Sequence, residues 1–140
     1  MLDRARVVVA PASNCQFIVA EAMKVETVVP SPVDYVFLAN TFHGVPDKEA
    51  LARSVAALLK PQERFGIVNW HRRPREETVV LGQPRGPKTE MRMEPGEVAR
   101  TVEPTGLRLS RIVELPWGAL RETGDLNRQD GGQNGRPEAT

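Results

Sequence analysis

The sequence predicts an α/β fold, and three observations in residues 34–70 carry that expectation. Two short apolar runs, Tyr35–Leu38 and Phe65–Val68, flank a stretch with helical periodicity. Each run is continuously apolar, as suits a strand covered on both faces of a parallel sheet. Val33–Ala39 reads as the clearest strand, and Asn40–Pro46 as the loop at its C-terminal end. Asp47 opens a helix, where its carboxylate complements the dipole. Leu51, Val55, Leu58 and Leu59 follow at i, i+4, i+7 and i+8 and give one apolar face. Pro61 stops the helix, and Arg64–Trp70 is the second strand. Two parallel strands joined by one helix form a right-handed crossover.

The remaining elements follow from punctuation. Met1–Arg6 reads as a helix stub, and Val7–Val9 shifts to β-branched residues before Pro11. Ser13–Asn14 turn into a short buried strand at Cys15–Ala20, whose Cys15 reads as a buried apolar residue. Val25–Pro32 is loop, with Pro30 and Pro32 preventing regular structure. His71–Glu94 is a long polar loop, functional or mobile at that length. Pro95 takes the first position of a second helix that runs to about Pro104. Gly106 supplies a turn. Leu107–Leu115 alternates as a strand, and Arg111 interrupts its apolar face, which suits a sheet edge. From Gly118 the pattern collapses, and Asn127–Thr140 has little to bury, so residues 118–140 read as a low-complexity, disordered tail. Residues 1–117 form the single domain.

Composition narrows the function. Of 140 residues, 19 are Lys or Arg and 18 are Asp or Glu, so the net charge is +1. That balance calls for no nucleic acid and no anionic membrane. The run Arg72, Arg73 and Arg75 reads as a solvated loop. The lone Cys15 excludes an internal disulfide, and two separated histidines, His43 and His71, give no metal site. No apolar stretch approaches the roughly 20 residues of a spanning helix. The expected location is the cytoplasm.

Four stretches carry a family resemblance. They are MLDRAR at Met1–Arg6, NCQFIVAEA at Asn14–Ala22, VDYVFLANTFHGVPDKEALARSVAALL at Val33–Leu59, and Arg64–Trp70 followed by MEPGEVARTVEPTGL at Met93–Leu107. In this order they resemble the later part of a class I S-adenosylmethionine-dependent methyltransferase. The resemblance implies an incomplete Rossmann-like sheet around the strand–helix–strand centre. Family sheets run in the order three, two, one, four, five, seven, six. Here the family's glycine-rich loop and ribose-holding carboxylate have no counterpart. Gln62–Glu63 replaces the usual Gly-Gly after Lys-Pro. The final antiparallel strand is expected to be missing too, its place taken by the tail.

The resemblance also assigns site residues. Glu21 would accept a hydrogen bond from the adenine amino group, and Ala22 would offer its backbone N–H to the ring. Asn40 would stand beside the methionine part of the cofactor. As the residues alone read, Glu21 is equally an exposed loop carboxylate and Asn40 a turn residue. His43 is a candidate general base or substrate contact, although a loop histidine is more often structural. Trp70 and His71 are candidate pocket walls, with core packing as the plainer reading of Trp70.

The expected function is therefore methyl transfer from S-adenosylmethionine to a small-molecule acceptor, weak or inactive in this chain alone because it reads as truncated. The alternative is a non-enzymatic α/β interaction module, completed through its exposed strand edges by a partner or a second copy.

Overall fold

The computed structural model describes residues 2–30, 32–115 and 121–128. Ten helices and strands are used below. They are α1 (Leu2–Val9), α2 (Val25–Val28), β1 (Val33–Ala39), α3 (Lys48–Leu58), β2 (Leu59–Trp70), β3 (Val79–Val80), β4 (Gln83–Pro84), α4 (Pro95–Val102), β5 (Leu107–Leu115) and β6 (Arg121–Arg128).

The expected centre is present. β1 and β2 pair in parallel, with Val36 opposite Phe65 and Leu38 opposite Ile67. α3 begins after Asp47, whose Oδ1 accepts from the Ala50 N–H at 2.8 Å. That bond satisfies one of the four N–H groups a helix start leaves open. Leu51, Ala52, Val55, Ala56 and Leu58 are buried, as the periodicity requires. Strand residues alternate between faces. Val36, Leu38, Phe65 and Ile67 therefore share the face on which the core gathers, with Phe42, Leu51, Val55, Val102 and Leu107. On the opposite face Tyr35 and Phe37 stack with ring centroids 6.4 Å apart and remain 47% and 57% exposed.

The four-stranded sheet has the order β1-β2-β6-β5, with β6 antiparallel to both neighbours. This corrects two expectations at once. The final antiparallel strand is present, and Arg121–Arg128 is that strand rather than part of a tail. Its sequence, RETGDLNR, is polar, and its place comes from pairing on both edges rather than from apolar patterning. The order matches the four, five, seven, six that the resemblance implied. β5 lies at the edge as Arg111 suggested, and the register slips between Leu109 and Arg111. The rest of the expected tail, residues 118–120 and 129–140, lies outside the described residues.

Other differences are local. Cys15–Ala20 is not a strand: among the described residues no neighbour pairs with it, and a strand needs a partner for its N–H and C=O groups. Cys15 is accordingly exposed rather than buried. α1 continues through Val9, because helix hydrogen bonds outweigh the modest penalty of three valines. Val25–Val28 forms a single helical turn where a loop was expected. β2 begins at Leu59, and its register to β1 slips by several residues around Pro61. Gln62 takes φ 65° there. Glycine takes that left-handed conformation without strain, which fits the Gly-Gly that the resemblance led one to expect at this point.

The 71–94 segment is ordered around one side chain. Arg92 is 1% exposed. Its guanidinium donates to the carbonyls of Pro87, Arg73 and Arg85 and to Thr78 Oγ1, at 2.8–3.1 Å. It also lies 5.3 Å from the centroid of the Trp70 ring. Gly86, at φ 85°, packs on that ring so closely that a Cβ would fall 2.7 Å from it. A β3–β4 hairpin lies inside the segment. A polar loop thus folds by satisfying a buried cation with backbone dipoles and a π face.

Candidate functional site

At the C-terminal end of β1 the chain must leave the sheet. Asn40 does so at φ 57°, a conformation its short polar side chain tolerates. Its N–H still donates to Val68 O at 2.8 Å, so the first loop residue remains anchored to β2. A 3-10 turn, Phe42–Gly44, follows. Phe42 is 0% exposed and pins this turn to the core, leaving Thr41 and His43 on either side of it.

Glu21, Ala22 and Met23 face Asn40, Thr41, His43, Gly44, Val45 and Pro46 across a cleft of about 650 Å³. The volume lies within the range of small-molecule sites, roughly 300–1,000 Å³. Of the six residues singled out in the sequence, four, Glu21, Ala22, Asn40 and His43, line it together. The Glu21 side chain is exposed, 3.7 Å from Lys24 Nζ. Asn40 Oδ1 and His43 Nδ1 are buried without a hydrogen-bond partner. Trp70 and His71 stand elsewhere. Trp70 is buried under Gly86 and Arg92, and His71 Nδ1 lies 3.5 Å from Glu94 Oε1. Among the described residues no group of His, Cys, Asp and Glu is placed to hold a metal.

Burial, and then the Lys48 charge, lowers the His43 pKa below its ordinary value of 6.5. The imidazole is therefore neutral at neutral pH. Because the folded pKa is depressed, the unfolded chain binds the proton more readily. Stability is then fully present above about pH 6.5 and falls as pH drops from there through the folded pKa. Urea unfolding at a series of pH values should show this slope, and His43→Gln should flatten it. An unchanged slope in the variant would place the titration elsewhere.

Sequence reasoning missed Asn69. It is 5% exposed, and neither Oδ1 nor Nδ2 has a partner. The signal was a polar residue within the apolar run FGIVNW, on the face shared with Phe65 and Ile67.

No family model and no curated protein matches the sequence. Solved structures do match. A SAM-dependent methyltransferase from Aquifex aeolicus superposes with a TM-score of 0.67 at 22% identity, over 89% of this chain. The trans-methyltransferase CalH, in complex with SAH, gives 0.69 at 17% identity over 91%. The mitomycin 7-O-methyltransferase MmcR gives 0.65 at 20% identity over 90%. The chain spans 60%, 39% and 38% of their respective lengths. The fold is thus shared with S-adenosylmethionine-dependent methyltransferases, as the sequence resemblance implied. Among the described residues no helix is long and apolar enough to cross a membrane.

Proposed function

We propose that this chain is the cofactor-facing later part of a cytoplasmic S-adenosylmethionine-dependent methyltransferase acting on a small-molecule acceptor. The observation that carries the reading is the meeting of Glu21, Ala22, Asn40 and His43 in one cleft at the end of a parallel strand. Ligands of open α/β sheets bind at that end. The cleft fits the cofactor chemically. The exposed Glu21 carboxylate suits an amino group, and the unpartnered Asn40 Oδ1 suits a second donor. When bound, S-adenosylmethionine supplies a methyl group on a positively charged sulfur. The task of the chain is then alignment, because methyl transfer is a direct displacement. Asn40 is held for this by its bond to Val68 O, and its left-handed backbone turns the loop across the strand end. His43, neutral and next to the cleft, is the candidate for taking a proton from the acceptor.

Three contacts at roughly 0.5–1.5 kcal/mol each make only modest affinity. The chain alone is expected to bind S-adenosylmethionine with a dissociation constant of roughly 1 mM. Isothermal titration should find this, and Glu21→Ala should weaken it by about tenfold. Binding that is indifferent to Glu21→Ala would refute the assignment.

One feature favours a second reading, an interaction module. Among the described residues β1 pairs on one side only, and Tyr35 and Phe37 beside that edge are exposed. Such edges recruit further strands. Sedimentation equilibrium tests its second-copy form: a concentration-dependent dimer abolished by Phe37→Lys supports that form, and a monomer at all concentrations rejects it.

A further inference from the structure

We propose that residues 15–20 of one copy of this chain add as a strand to the open edge of β1 in a second copy, and reciprocally, to form a closed dimer. The inference deepens the interaction-module reading and rests on it, and it is independent of cofactor binding.

Two stretches of the chain suit each other as strand neighbours. Among the described residues β1 has β2 on one side and no strand on the other. Natural edges are guarded by proline, lysine or inward charge. Residues 35–39 of β1 have none of these, and Asp34 is already engaged by Lys60 Nζ at 2.5 Å. Both faces of β1 are apolar, with Tyr35 and Phe37 on one and Val36 and Leu38 on the other. A strand added there must therefore be apolar on both faces as well.

Residues 15–20, CQFIVA, have that pattern. Phe17, Ile18 and Val19 run together, and the stretch carries no charge and no proline. Such a run belongs to a strand covered on both sides, yet Ile18 is 45% and Val19 81% exposed. Among the described residues no backbone hydrogen bond joins the stretch to another element. Its six residues match the seven of β1 in length. The β1 of the same copy is not its partner. Met23 and Val25 are packed against the core, and residues 21–23 stand across the cleft from Asn40 at the end of β1. A second copy is free of that tether. Each copy owns one segment and one β1 edge, so exchange satisfies both on both copies. That is the condition for a closed twofold dimer rather than a filament.

The test mixes two preparations of the full chain. One carries no 15N and has a nitroxide on Cys15, which is exposed. The other is 15N-labelled Cys15→Ser. The expected result is broadening of amide signals that is strongest along β1 and fades through β2 and β6 to β5, in the order of the strands. Hydrogen exchange asks the same question of unmodified protein: amides of residues 15–20 should be slowed in concentrated solution and not in dilute. The exchange result decides where the nitroxide itself blocks association. Neighbouring N–H groups of a strand point to opposite edges, so either Ile18→Pro or Val19→Pro removes a donor aimed at β1. At least one of them should weaken dimerisation by about tenfold or more, and neither should move the thermal midpoint of dilute protein. Dimerisation unchanged in both variants overturns the proposal. A dimer with neither broadening at β1 nor protection of residues 15–20 overturns it too, while leaving the interaction module with another contact, such as β1 against β1. A monomer at all concentrations overturns the proposal together with the second-copy form of that reading.

Discussion

Arg92→Met is expected to destabilise the protein by about 3 kcal/mol or more, the largest effect of any change outside the apolar core. The methionine keeps the length and the apolar contact with Trp70. It removes the donors that hold the carbonyls of Arg73, Arg85 and Pro87, and it takes one partner from Thr78 Oγ1. Those acceptors are drawn from residues up to 19 positions away in sequence, so one side chain closes the whole segment. Charge-assisted bonds of this kind are each worth roughly 1.5–3 kcal/mol. The desolvated cation offsets part of that, and for this reason the net figure is well below their sum. Urea unfolding measures the loss, and amide exchange should accelerate throughout residues 72–92. A change below about 1 kcal/mol would mean that the segment is held by its hairpin and 3-10 turns instead.

Phe42→Ala is expected to cost about 3–5 kcal/mol, the usual range for emptying a fully buried aromatic site. Phe42 belongs to the main core cluster yet sits in a 3-10 turn between two cleft residues. Its removal should therefore loosen the cleft as well as the core. Against a total stability of about 5–15 kcal/mol, such a loss removes a large share of the margin. Phe42→Leu retains most of the volume and should cost less than about 1.5 kcal/mol. Chemical denaturation of the two variants checks this. A cost below about 1.5 kcal/mol for the alanine variant would mean that the turn is held by its backbone bonds rather than by the ring.

The parts legible in the sequence were those fixed by local patterning. β1, α3 and β2 each carry their own period, and Asp47 and Pro95 mark helix starts by chemistry that does not depend on distant partners. What escaped depended on partners far along the chain. Cys15–Ala20 has strand-like residues but, among the described residues, no strand to pair with. Arg121–Arg128 has polar residues but two strands waiting for it. Arg92 gave no signal, because its acceptors are backbone carbonyls, which every residue possesses. In the candidate cleft, Glu21 and Ala22 were singled out by the resemblance, and Asn40 and His43 also by their place after β1. Asn69 was not singled out, because its meaning lies in the absence of a partner.

The central claim is that the cleft between Glu21–Met23 and Asn40–Pro46 takes S-adenosylmethionine. Its most direct test is the proposed titration in mapped form. S-adenosylhomocysteine is added to 15N-labelled protein, and shift changes are followed residue by residue. The expected result is a saturating response at Glu21, Ala22, Asn40 and Thr41, with a dissociation constant of roughly 1 mM, while the distant surface of α4 stays still. A response centred elsewhere, or none at several millimolar ligand, would contradict the claim.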